Sequence, residues 1–208
     1  MSKQAVPEPF EALRLCFQGI ERLVYRTGVG PPVVLLQELP NQTPQYFELA
    51  QRIADHGFTV WCPHLFGVPG APFSPLLAGQ RMLRYCISRE FRVFSHNQSS
   101  PIVDWVRDLC RMIGENENVG VIGMCITGNF ALALINDSHI KAPVLAQPSL
   151  PYGLTPALRK ATHTEPSTLQ NPYQTEVLAL RFSNDLLCPR SRFSELKSVL
   201  GDHFTSIE

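Results

Sequence analysis

Apolar residues run along this chain in short blocks whose period alternates. Val33-Val34-Leu35-Leu36 is continuously apolar, the pattern of a strand covered on both faces. In "PQYFELAQRIAD" the residues Tyr46, Phe47, Ala50, Ile53 and Ala54 fall at helical spacing. Thr43 caps this predicted helix, Pro44 opens it and Gly57 stops it. "FTVWCP" follows as a second strand, so the three elements form a right-handed parallel crossover unit. From Phe66 to Ser100 the pattern breaks. "FGVPGAPFSPLLAG" is too rich in proline and glycine for a regular element, and "QRMLRYCISREFRVF" reads as a short helix carrying arginines. Residues 66–100 are either an excursion near the ligand side of a sheet or a long solvated connection.

The repeat then resumes. Ser100-Pro101 starts a helix that turns Ile102, Val103, Trp105, Val106, Leu109 and Ile113 inward. A strand at 119–124 leads into a helix over 126–135, apolar all round and therefore central. A strand at 143–147, a polar connection through residue 174, a strand at 177–182 and a helix near 191–200 follow. The alternating stretch "HFTSIE" comes last. Strands alternating with helices predict a three-layer α/β fold with a mostly parallel central sheet, and 208 residues suit a single domain spanning 1–208.

Composition narrows the function classes. Formal net charge is +0, so no long-range field attracts nucleic acid or an anionic membrane, and neither is an expected partner. "MSKQAVPEPF" has no apolar run before its prolines and no stretch approaches the length of a membrane span, so a cytoplasmic protein is expected. The six cysteines (Cys16, Cys62, Cys86, Cys110, Cys125 and Cys188) are widely spaced, with no zinc-type cluster. The expectation is reduced thiols with no metal and no cofactor.

Cys125 changes the picture. "GMCITG" places it between a strand and the following helix, at the carboxyl edge of a parallel sheet, where such folds bind ligands. The helix N-terminus favours an anion there, which eases thiol ionisation. Gly123 and Gly128 permit a tight turn. In a strand–nucleophile–helix elbow the N–H of Ile126 would be half of an oxyanion hole. The competing reading is a small packed core residue, since cysteine is among the most buried residue types. Glu38 ends an apolar strand, where a carboxylate needs a partner or a proton unless it reaches water. Asp185, in "SNDLLCP", is either an acid positioned after a strand or the start of an ordinary Asx turn.

Three blocks in order carry a resemblance. "VVLLQELPNQTPQYFELAQRIADHGFTVWCPHLFG", with its Gln-Glu pair and its Cys-Pro ending, "VGVIGMCITGNFALAL" and "VLALRFSNDLLCP" resemble the dienelactone hydrolase family of the α/β-hydrolase superfamily, over roughly residues 15 to 208. The resemblance implies an α/β-hydrolase-type fold and hydrolysis of a small-molecule ester or lactone, by a monomer or small homo-oligomer. It implies Cys125 as nucleophile, Asp185 as triad acid and Glu38 as a buried partner of the resting cysteine. Leu39 and Ile126 would supply the oxyanion-hole N–H groups. Thr127 stands where the family usually has glycine, and its β-branch is expected to crowd the elbow. Arg81, Arg84, Arg89 and Arg92 are candidates for binding a substrate carboxylate, with solvated surface as the plainer reading.

A cysteine hydrolase also needs a general base. His56, His64, His96, His139 and His163 precede Asp185, against the superfamily order of nucleophile, acid, histidine. Only His203 follows it, at the start of the last predicted strand rather than in a loop after it. The fold therefore reads as cut short at its last strand. A completing strand–loop–helix is expected, with a histidine about 15–40 residues beyond Glu208. Two further readings stay open: a non-catalytic ligand-binding or thiol-sensing protein, and acyl transfer to an acceptor other than water.

Overall fold

A computed structural model describes residues 8–72, 101–115, 118–148, 171–186 and 188–208. The strands are β1 (Glu11–Phe17), β2 (Ile20–Thr27), β3 (Pro32–Leu36), β4 (Thr59–Pro63), β5 (Val119–Met124), β6 (Ile140–Ala146), β7 (Val177–Leu180) and β8 (Phe204–Ile207). The α-helices are α1 (Pro44–Asp55), α2 (Pro101–Ile113), α3 (Gly128–Ala133) and α4 (Arg190–Leu200). The strands join in one sheet in the order β1-β2-β4-β3-β5-β6-β7-β8. Every pair from β4 to β8 is parallel, while β1–β2 and β2–β4 are antiparallel. This is the mostly parallel α/β architecture that the alternating pattern predicts, and it agrees with the α/β-hydrolase-type fold that the family resemblance implies.

Local chemistry explains where α1 starts and stops. The Thr43 hydroxyl accepts the Tyr46 N–H at 3.2 Å, Pro44 occupies the first turn, and Gly57 leaves the helix with φ 88°. Its buried face (Tyr46, Phe47, Ala50, Ala54) packs with Leu35, Val60 and Cys62 on one side of the sheet. Burying a side chain the size of Phe47 contributes about 2–3 kcal/mol. Val34 and Leu36 point the other way, into a larger core with Trp105 of α2, Phe130 of α3 and Leu196 of α4. All five residues of β3 are buried because both faces of the sheet are covered there.

The hairpin β1–β2 is an element that the hydrophobic reading passes over, since that reading begins the sheet at Val33. It turns through Gln18 and Gly19, with φ 52° and 77°, the left-handed pair of a two-residue hairpin loop. Alternation of Leu13, Leu15 and Phe17 with Arg14 and Cys16 is the signal for it. The predicted helix 126–135 is in fact a 3₁₀ turn at Cys125–Thr127 followed by the short α3. The strand predicted from Pro143 begins earlier, at Ile140, with Pro143 paired to Val121 inside it. Proline is usually confined to strand starts and edges, which is why the sequence reads as starting there. Among the described residues, no helix is long and apolar enough to cross a membrane.

Candidate active site

The elbow is built by close approach. Met124 ends β5 in extended geometry, and Cys125 then adopts φ 56°, the left-handed region that non-glycine residues rarely occupy. Thr127 and Gly128 return at once to helical angles. A Cβ on Gly123 would lie 2.3 Å from the Thr127 carbonyl oxygen, so only glycine lets the turn fold back over the strand. Cys125 is half-buried, with Ile126 in the first turn, where a helix leaves its N–H groups without intrahelical partners.

Thr127 is not the obstruction that its β-branch suggests. It is fully buried, and its hydroxyl accepts the Met124 N–H at 2.9 Å while donating to the Met124 carbonyl at 2.9 Å. The side chain clasps the turn instead of crowding it. The close contacts of the elbow fall on Gly123 and on Gly128, whose Cβ position lies 3.0 Å from Pro148.

Sheet register places the other candidates. Leu36 pairs with Gly123 across β3 and β5, so Glu38 and Cys125 each stand two residues beyond a matched pair on neighbouring strands. Leu39 follows Glu38 at the same edge. Met124, Ala146 and Leu180 are matched across β5, β6 and β7, so Asp185 leaves the same edge two strands away, about 10 Å across the sheet. Cys188 lies within electrostatic reach of both Asp185 and Cys125. Burial pushes its thiol up to about 11, with Asp185 and Cys125 adding to the rise and Arg181 and Arg192 opposing it.

Glu38 differs from expectation. It is exposed, and the buried residue of the Gln-Glu pair is Gln37. Gln37 Nε2 donates to the Phe66 carbonyl at 2.7 Å and its Oε1 accepts the Leu65 N–H at 3.0 Å, so the amide takes the interior place and Glu38 turns outward. The Glu38 carboxyl is still partly desolvated, which raises its pKa. Asp185 does form the Asx-type bond that its sequence suggests: its Oδ1 accepts the Cys188 N–H at 3.0 Å. That bond orients the carboxylate without removing it from the site's edge.

Three of the four described histidines stand at the edge of the sheet away from Cys125. His203 precedes β8, at the amino edge of the sheet, where its Nδ1 lies 2.9 Å from Glu176 Oε1. Cys125 is at the carboxyl edge, so the whole length of the strands separates them. His56 and His139 also precede strands, β4 and β6. His64 follows β4 at the carboxyl edge, and burial pushes it down to about 4, with the Arg22 charge adding to the fall and a Gly67 backbone bond opposing it. His96, His163, Arg81, Arg84, Arg89 and Arg92 lie outside the described residues.

Sequence reasoning passed over Arg192, a guanidinium 1% exposed inside this region. Its Nη2 donates to Asn129 Oδ1 at 3.4 Å, and Asn129 Nδ2 donates to the Ile126 carbonyl at 3.4 Å, so a buried cation is tied through α3 to the elbow. The available signal was an arginine at helical spacing with Leu196 and Leu200 on the inward face of α4.

Residues 22–203 match the model of the dienelactone hydrolase family. The chain belongs to that family. It is 29% identical over 128 residues to carboxymethylenebutenolidase of Rhodococcus opacus, covering 59% of this chain and 46% of that one. The match thus spans about half the length of the curated relative. Among solved structures, one from Klebsiella pneumoniae subsp. pneumoniae assigned as a dienelactone hydrolase superposes with a TM-score of 0.66 at 17% identity, covering 97% of this chain and 86% of that one. The thioesterase domain of the curacin biosynthetic pathway gives a TM-score of 0.64 at 12% identity, covering 96% and 92%. At such identities the structural likeness establishes the fold alone.

Proposed function

We propose that this protein is a hydrolase of small carboxylic esters or lactones that works through Cys125. The observation that carries the reading is the strained Cys125 (φ 56°) on the strand–helix elbow of a family member. The Cys125 thiolate attacks the substrate carbonyl carbon, a C–S bond forms, and the carbonyl electron pair moves to oxygen. The N–H groups of Ile126 and Leu39 stabilise that oxyanion. Collapse expels the alkoxide, which takes a proton from a histidine oriented by Asp185. Water, deprotonated by the same histidine, then cleaves the thioester and returns the thiolate. His56, His139 and His203 stand at the amino edge, and the low proton affinity that burial gives His64 makes it a weak base, so the reading assigns proton transfer to a histidine outside those described.

The test is hydrolysis of p-nitrophenyl acetate by the full chain. Cys125→Ala is expected to lower kcat/KM by at least about 1,000-fold, as removal of a covalent nucleophile does. Intact-mass analysis under rapid quench is expected to show an acetyl group on Cys125. The amino-edge positions of His56, His139 and His203 favour a second reading, a non-catalytic binding protein. Absence of any Cys125-dependent turnover or acylation would select it.

A further inference from the structure

Asp185 sits on a turn that a buried cation spans. Arg181, the residue after β7, is 7% exposed. Its Nε donates to the Cys188 carbonyl at 3.1 Å and its Nη2 to the Ser183 carbonyl at 3.2 Å. One guanidinium therefore grips the chain on both sides of Asp185, two residues before it and three after. Its Nη1 pairs with Glu208, whose carboxylate also meets Arg190 Nη2 at 2.9 Å in the first turn of α4. The main chain is held as well: the Arg181 N–H donates to the Ile207 carbonyl at 3.0 Å. Inside the bracket, the Asp185–Cys188 bond sets the carboxylate. A buried arginine that lost these partners would be costly, so its bonds bind the turn, β7 and the end of β8 into one unit.

We infer that Arg181 is a positioning residue for the acid of the site: it clamps the turn that carries Asp185 to the sheet and so fixes the carboxylate's direction. This rests on the reading of Asp185 as triad acid. The planar fork is what the task needs, because a single ammonium cannot reach two divergent carbonyls and a carboxylate together. Arg181→Lys keeps the charge and is expected to retain the fold while losing part of the grip.

The experiment compares wild type, Arg181→Lys, Arg181→Met, Asp185→Asn and the Arg181→Met/Asp185→Asn pair in the full chain. It reads p-nitrophenyl acetate turnover and amide hydrogen exchange. Arg181→Met is expected to lower kcat about 10–100-fold with KM changed less than about threefold, and Arg181→Lys to recover part of it. Added to Asp185→Asn, Arg181→Met should cost little more, since both act through one carboxylate. Exchange at the Cys188 amide should quicken in both Arg181 variants while amides of β5 stay protected. If Asp185→Asn abolishes turnover and both Arg181 variants keep wild-type kcat and exchange, the clamp is overturned. If Asp185→Asn leaves turnover intact, the acid role itself fails, and unchanged exchange at Cys188 would then reject the clamp independently. Should Arg181→Met not fold, Arg181→Lys decides by the same two readings.

Discussion

At the scale of single residues, Cys125 stores strain that its neighbours enforce. A non-glycine residue in the left-handed region costs about 1 kcal/mol, so glycine there relieves what alanine cannot. Cys125→Gly is therefore expected to be more stable than Cys125→Ala by about 1 kcal/mol, the reverse of the usual order, with both devoid of turnover. Urea denaturation of the two variants measures it, and equal midpoints would show that the elbow relaxes. Gly123 is the opposite case, a position with no room. Gly123→Ala drives a methyl group onto the Thr127 carbonyl and is expected to cost about 1–3 kcal/mol together with most activity. Thermal melting and the ester assay read the two effects separately.

At the scale of elements, the site depends on how loops are fastened to strand ends. Gln37 at the end of β3 holds residues 65 and 66 after β4 through both ends of one buried amide. Gln37→Leu keeps the volume but takes both bonds away, at an expected cost of about 2–4 kcal/mol. Faster exchange at the Leu65 amide should accompany the loss, and its absence would mean that the loop is held by other contacts. The same logic separates Gln37 from Glu38. Adjacent residues at a strand end point to opposite sides, so only one of the pair goes inward, and the neutral amide is the cheaper one to bury.

At the scale of the whole molecule, the sheet order decides which histidines can work. Parallel strands put every residue that follows a strand at one edge and every residue that precedes one at the other, so His203 and Cys125 are kept apart however the side chains move. His64 reports on global stability instead. Its folded pKa of about 4 lies below the ordinary 6.5, so the unfolded chain binds the proton first as pH falls. The stabilisation is complete above about pH 6.5 and is lost progressively toward pH 4, on the order of 3 kcal/mol across that window. His64→Gln is expected to flatten the fall between pH 6.5 and 4 in urea titrations. A slope unchanged by the substitution would assign it to other groups.

Period and punctuation alone were enough to identify β3, α1, β4, α2 and β5, because these elements are covered on one or both faces and their apolar spacing is strong. The elbow at Cys125 was visible for the same reason, as a small-residue turn between two apolar runs. Burial of single polar groups was not. Which of Gln37 and Glu38 turns inward, that Thr127 clasps the turn, and that Arg181 and Arg192 lie inside all depend on partners distant in sequence, such as Phe66 for Gln37, Asn129 for Arg192 and Glu208 for Arg181. A side chain's local pattern carries its own polarity but not the position of the groups that satisfy it. The strand pattern already puts Cys125, Glu38 and Asp185 after strands and His203 before one. Only the folded sheet, however, brings the groups that satisfy buried side chains within hydrogen-bond range, and only its strand order sets how far apart the edge residues stand.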